Sequence, residues 1–266
     1  TNMIKLKTII KTSTVYESRI SNVFESSIVN SEFKYKEANN IERISIPNCQ
    51  GTFSIENYSL WSGNNTLIQN SNLSLSKGEV ARLKGDNGTG KTTFLKSIIQ
   101  DQKTYSGSLK LDGKVLNDLK ITDVSNDILY VSNNQGFYLS TIEDNLLNGI
   151  SYKPEELLNV LKMVKLDQKI STLEKGIKTP ICEIINSFSN GELQKLRLAR
   201  AAIRKPKVLL LDEVFSNIDV TNSGVIFNNL KIYSPESSII IIEHHTIEEI
   251  PVDKTWIIRD KQISVQ

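Results

Sequence analysis

Apolar and polar residues alternate from Phe53 to Trp61 (Phe-Ser-Ile-Glu-Asn-Tyr-Ser-Leu-Trp), the period of a half-buried strand. Ser62-Gly63-Asn64-Asn65 turns the chain, and Leu67, Ile68, Leu73 and Leu75 resume the alternation, so antiparallel strands open the folded region. The pattern then becomes strand, loop, helix. Val80 to Lys84 reads as a short strand, a glycine-rich loop follows, and Phe94, Leu95, Ile98 and Ile99 give Lys91 to Gln100 a helical spacing. Asp112-Gly113 predicts a hairpin between Leu109–Leu111 and Val115. Ile128 to Val131 is another strand. From Ser140 to about Lys175 the chain is charged and helical, with Pro154-Glu155-Glu156 as a helix start. Gly191 to Ile203 reads as a long helix. Val208 to Leu211 and Ile239 to Ile242 are apolar throughout. Strand–helix alternation with wholly apolar strands predicts a parallel sheet covered on both faces. Before all this, Thr1 to Ser27 reads as a helix with a mixed face, and Asn30 to Asn48 has linker composition.

Composition narrows the class. The 266 residues are 39% hydrophobic and 23% charged, ordinary for a globular α/β protein with a sizeable core. Lys and Arg number 32 against 30 Asp and Glu, a net charge of +2, which gives no case for nucleic acid as a partner. Cys49 and Cys182 have neither metal spacing nor a pairing signal, and are expected to be buried or half-buried thiols in a reduced compartment. No stretch approaches the ~20 apolar residues of a membrane-spanning helix, so direct membrane insertion is not expected. The first residue is Thr1 and not Met, which reads as an excised piece of something longer.

The glycine-rich loop carries the first chemistry. Gly85-Asp86-Asn87-Gly88-Thr89-Gly90-Lys91-Thr92, with Thr93 beside it, fits the phosphate-binding P-loop pattern. Glycines let the backbone wrap a phosphate without Cβ clashes, and their N–H groups form a nest for anionic oxygens. The following helix points its positive end at the same place. That dipole contributes only about 0.3–1 kcal/mol, or ~2 when partly buried. Lys91 is therefore needed as a full charge against the terminal phosphates, and Thr92 as a hydroxyl ligand to Mg²⁺.

Two further motifs point to a family. Phe188-Ser189-Asn190-Gly191-Glu192-Leu193-Gln194-Lys195 opens a helix, and Lys207 to Glu213 is an apolar strand ending in two carboxylates. Together with the P-loop, these resemble the nucleotide-binding domain of ABC transporters, over about Phe53 to Ile263. The resemblance implies a P-loop NTPase (RecA-like) α/β core with an antiparallel β subdomain and a helical subdomain near residues 139–187. The domain would span 51–266, behind a 1–50 tail. It implies ATP and Mg²⁺ as ligands. Ser189, Asn190, Gly191 and Glu192 would form the signature loop that binds the phosphates of an opposed subunit's nucleotide. Asp212 would organise Mg²⁺ through water, Glu213 would be the catalytic base, and His244, after Ile239–Ile242, would be the switch histidine, with His245 the minor candidate. Ser216-Asn217-Ile218-Asp219 resembles the loop at the dimer interface. Asn133 falls where the family carries a Mg²⁺-sensing glutamine, with Gln135 two residues on. Asn190 replaces the first signature glycine, where Asn's tolerance of positive φ is expected to preserve the loop. For the aromatic that stacks on adenine in the family, alignment from the strand gives Ser62, with Trp61 adjacent, and alignment from the P-loop gives Leu60 or Trp61; Trp61 is the choice and Tyr58 the second.

Three features resemble exporters. Thr141-Ile142-Glu143-Asp144-Asn145-Leu146 matches a "TIxxN" stretch, and Thr179-Pro180-Ile181-Cys182-Glu183 resembles a short element before the signature, with Cys182 in place of a glycine. Glu17 to Phe24 is similar to the end of the last membrane helix of fused exporters. The resemblance, in its coarsest form to bacterial peptide or bacteriocin exporters, implies a transmembrane domain and a second nucleotide-binding domain as partners. It also implies a place on the cytoplasmic face of the cell membrane. A soluble ABC ATPase without a transport role, and a nucleotide-sensing subunit with weak hydrolysis, are the rival expectations.

Overall fold

The computed structural model describes residues 48–266 except 102, 103, 120, 148, 150, 151, 244 and 245. The chain divides into two units, Thr1–Ile44 and Ser45–Gln266. The helix and linker expected before Asn48, and His244, lie outside the described residues.

The second unit is built on two sheets. Strands β1 (Phe53–Ser62), β2 (Asn65–Leu75), β4 (Tyr105–Leu111) and β5 (Lys114–Val115) form an antiparallel sheet in the order β2-β1-β4-β5. The β4–β5 hairpin turns on Asp112 and Gly113, both at positive φ (49° and 77°), as a two-residue primed turn requires. The members of the second sheet are β3 (Val80–Lys84), β6 (Ile128–Ser132), β7 (Val208–Asp212), β8 (Ser238–Ile242), β9 (Lys254–Arg259) and β10 (Gln262–Val265). Their order is β10-β9-β3-β8-β7-β6. All pairings are parallel except the terminal β9–β10 hairpin. The Lys261 carbonyl accepts from Gln69 N (2.6 Å), and Ile263 N donates to Ser71 Oγ (3.1 Å), so β10 ties one sheet to the other.

Strand alternation sorts the apolar runs into two cores. Val208, Leu210, Ile240 and Ile242 face helix α1 (Lys91–Ile98) and the antiparallel sheet. Leu209, Leu211, Ile239 and Ile241 face the other core, which takes in α7 (Asn190–Ala202) and α8 (Val220–Tyr233). A strand buried on both faces must be apolar at every position, and β7 and β8 are so through Leu211 and from Ile239. Tyr58, the second choice for adenine, lies wholly inside the first core; its ring meets Phe94 edge-on at 5.6 Å and its hydroxyl meets Ser97 Oγ at 2.5 Å.

The charged stretch after Ser140 is not one helix. It comprises α3 (Ile142–Leu147), α4 (Pro154–Met163) and α5 (Asp167–Ser171), and a short α6 (Ile181–Ile184) comes next; α2 (Ile121–Asp127) precedes β6. Left-handed residues interrupt the stretch at Gly149 and Lys165, and again at Gly176. Cys49 is buried, and burial pushes its thiol up to about 12; Cys182 is exposed, contrary to the expectation of a covered thiol.

Candidate active site

The loop between β3 and α1 runs over the carboxyl end of the parallel sheet. Gly88 and Gly90 sit at φ 82° and 99°, where L side chains are strained, and a Cβ on Gly90 would come within 3.0 Å of the Leu67 side chain. Gly90 is the N-cap of α1, so the first free N–H groups of that helix open onto the loop. Lys91 Nζ donates to the carbonyls of Gly85 (2.7 Å) and Asp86 (3.0 Å), which holds the ammonium over the nest.

The carboxylates arrive from β7. Asp212 is its last residue and 5% exposed. Its Oδ1 accepts from Thr92 Oγ1 (3.3 Å) and its Oδ2 from the Tyr130 hydroxyl on β6 (2.7 Å). Burial first, and then Asp212, pushes the Tyr130 phenol well above its usual range, so it is a committed donor. Glu213 follows at φ 57°, a left-handed conformation that costs a non-glycine residue about 1–3 kcal/mol. The cost is met by Glu213 N donating to Ile242 O (3.0 Å) and Ser216 N donating to Glu213 O (3.2 Å). That backbone turn takes the side chain off the line of β7 and into the wall of the P-loop cleft. The cleft, about 380 Å³, is lined by Ser62, Asn65, Leu67, Asn87, Gly88, Gly90, Lys91, Thr92, Thr93 and Glu213.

Lys91, Thr92, Thr93, Asp212 and Glu213 are thus brought to one place. Ser62 lines the cleft, whereas Trp61 is not among its described lining residues. Three register shifts interrupt the β1–β2 pairing between Ile55 and Trp61, the stretch that carries the expected aromatic. Asn133 is also elsewhere: its Nδ2 donates to Ser216 Oγ (3.0 Å) and its Oδ1 accepts from Gln194 Nε2 (2.6 Å). Gln135 donates to Tyr130 O (2.8 Å). Thr92 and Asp212 offer hydroxyl and carboxylate oxygens side by side, a donor pair that suits Mg²⁺, which takes few protein ligands and keeps water and phosphate oxygens for the rest.

The signature segment caps α7. Ser189 Oγ accepts from Glu192 N (3.2 Å), and Glu192 Oε2 accepts from Ser189 N (2.7 Å), a reciprocal capping box. Lys169 holds the same glutamate at 2.7 Å. Asn190 is the first helical residue and does not adopt positive φ, so its tolerance of that conformation is not what permits the substitution. Gly191 is constrained by space instead: a Cβ there would lie 2.4 Å from Asn217 O.

Two features give no signal in the local sequence. Arg82 on β3 and Glu243 just after β8 form a buried ion pair at 2.7 Å, with side chains 8% and 5% exposed. Arg82 also donates to Ile247 O and Ile250 O, both at 2.9 Å, so it pins the segment that leads away from the sheet. Desolvation raises the Glu243 carboxyl above its usual value against the pull of Arg82. Secondly, the two exporter-like segments pair with one another. Ile142 N donates to Thr179 O (3.0 Å) and Ile181 N to Ser140 O (2.8 Å) around a Thr141–Pro180 bridge. Buried Asn145 clamps Tyr138 through both amide atoms (2.8 and 3.1 Å), leaving Tyr138 57% and Leu139 89% exposed.

The chain resembles known proteins in sequence and in fold. The family described as ABC transporter matches residues 68–216. A probable ABC transporter ATP-binding/permease protein of Haemophilus influenzae is 29% identical over 191 residues, 71% of this chain and 35% of the relative. The SPbeta prophage-derived sublancin-168-processing and transport ATP-binding protein SunT of Bacillus subtilis is 30% identical over 197 residues, 74% of this chain and 28% of the relative. The chain thus spans about a third of the length of these relatives. The structure of a bacterial Atm1-family ABC exporter with ATP bound superposes with a TM-score of 0.74, covering 90% of this chain and 44% of that one, and at 19% identity it bears on the fold alone. No described helix is long and apolar enough to cross a membrane. With its P-loop, paired carboxylates and signature helix, the chain belongs to the ABC transporter family and carries that family's ATPase domain.

Proposed function

We propose that this chain is the motor domain of an ABC exporter, binding and hydrolysing ATP with Mg²⁺. The observation that carries the reading is the meeting of Lys91, Thr92, Asp212 and Glu213 around one cleft. The backbone N–H groups at Gly88 and Gly90 and the Lys91 ammonium hold the β and γ phosphates. Thr92 and Asp212 hold Mg²⁺, which neutralises phosphate charge when bound. Glu213 orients water and accepts its proton. Ser189 and the first N–H groups of α7 form a second anion site that two copies, or a copy and a related domain, complete by closing head to tail. His244 takes the γ-phosphate contact in this reading. Exposed Tyr138 and Leu139 face a transmembrane partner at the cytoplasmic side of a membrane, and the likeness to SunT supports peptide export.

A second reading is a nucleotide sensor of weak hydrolysis beside a competent partner. It is favoured by the engagement of Asn133 with Gln194 and Ser216 rather than with Asp212.

Glu213→Gln distinguishes them. In the motor reading the wild-type chain turns over ATP, and the variant loses at least about a hundredfold in kcat while still binding ATP. Equal turnover in both proteins removes Glu213 from the chemistry, and absent turnover in the wild type supports the sensor.

A further inference from the structure

We propose that Tyr130 is a positioning residue that aims the Asp212 carboxylate at the divalent cation; this rests on the reading of Thr92 and Asp212 as a Mg²⁺ site. β6 and β7 run parallel, with Tyr130 opposite Leu210 and Ser132 opposite Asp212. The phenol reaches two residues along the neighbouring strand and donates to Oδ2 at 2.7 Å. A carboxylate turns readily about its last bond, since that torsion is broad. A hydroxyl-to-carboxylate hydrogen bond of this length is among the stronger kinds, and fixing Oδ2 also fixes where Oδ1 points. Oδ1 is the oxygen beside Thr92 Oγ1.

Tyr130 is itself held. It lies in the sheet, paired along its length with β7, and its carbonyl accepts from Gln135 Nε2 (2.8 Å). Gln135 is anchored in turn: its carbonyl accepts from Arg197 Nε on α7 (2.6 Å). The aim of the carboxylate is therefore set by the strand and by the segment that follows it. That segment leads to the exposed Tyr138 and Leu139. Asn133, at the position where a metal-sensing amide was expected, is turned toward Gln194 and Ser216. Tyr130 is the group beyond the Thr92 hydroxyl that touches Asp212 through a side-chain hydrogen bond among the described residues. Outer-shell partners of metal ligands typically change metal affinity about 10–100-fold when removed.

Tyr130→Phe deletes one oxygen and keeps the ring. Mn²⁺ serves as the probe, titrated into the full chain with saturating ADP and followed by its paramagnetic resonance signal. ADP affinity is measured in parallel in EDTA. The proposal expects Mn²⁺ to bind the variant about tenfold more weakly, with ADP affinity in EDTA unchanged. Equal Mn²⁺ affinity in both proteins overturns it and leaves the ATPase reading intact. Parallel losses of Mn²⁺ and EDTA-measured ADP affinity also overturn it, because they mark a purely structural role. Failure of the wild type to bind Mn²⁺ with ADP overturns the metal site itself, and the proposal with it.

Discussion

Gly191→Ala tests whether the signature helix is seated as described. In an open helix this substitution stabilises by about 0.5–1 kcal/mol, since glycine loses more backbone freedom on folding. Here the new Cβ would stand 2.4 Å from Asn217 O and 3.7 Å from Ile218 Cγ1. Ordinary carbon–oxygen contacts begin near about 3.3 Å, so roughly 1 Å of movement is required. The obstacle is a backbone carbonyl in a turn fixed by Ile218 N donating to Phe215 O (3.1 Å) and Asn217 N donating to Gln194 Oε1 (3.3 Å). Overpacking against so stiff a neighbour costs near the upper end of about 1–3 kcal/mol. Less the helix gain, a net loss of about 2 kcal/mol remains. For a domain of this size that lowers Tm by about 4–8 °C. Calorimetry of the two proteins in the same buffer measures it. An unchanged or raised Tm would refute the reasoning, because only an unobstructed helix start gives that sign.

Two other outcomes are expected. Arg82→Ala leaves Glu243 buried without its cation and removes the Arg82 hydrogen bonds to Ile247 O and Ile250 O, so denaturant titration should show a loss of about 3–5 kcal/mol, whereas the double variant Arg82→Met with Glu243→Leu recovers the part owed to the unpaired charge; a loss under about 1 kcal/mol in the single variant contradicts the burial of the pair. Lys254 Nζ (2.6 Å) and Ser76 N (2.7 Å) hold the Glu79 carboxyl below its usual 4.5. A depressed carboxylate stabilises above its unfolded value, and the contribution is lost as pH falls through the folded one. Glu79→Gln should therefore cost about 1 kcal/mol or less at neutral pH and flatten the decline in stability below pH 4.5; parallel acid limbs would count against the contact.

What could be read from the sequence was chemistry fixed at short range. A loop that wraps phosphate needs glycines at set steps before Lys91, and a strand buried on both faces must be apolar until its end, so Val208–Leu211 announces Asp212 and Glu213. The expected adenine contact is less legible, because register shifts in β1 between Ile55 and Trp61 break the regular alternation there. Asn133 owes its expected role to its position alone, but its partners are 61 and 83 residues away and meet it only when the sheet and α7 come together. Arg82 and Glu243 are 161 residues apart, beyond the reach of any local pattern. The helical stretch is recognisable in kind but not in its breaks, since Lys165 at φ 57° is a left-handed stop that composition does not mark.

The central claim is that the loop ending in Lys91 grips a nucleotide's terminal phosphates. Titrating the chain with ATP and Mg²⁺ by calorimetry, beside Lys91→Ala, tests it most directly. Loss of one charge-assisted contact to phosphate is worth about 1.5–3 kcal/mol, so saturable binding that weakens at least about tenfold in the variant is predicted. Equal affinity of the two proteins, or no heat of binding at millimolar ATP, would contradict the account.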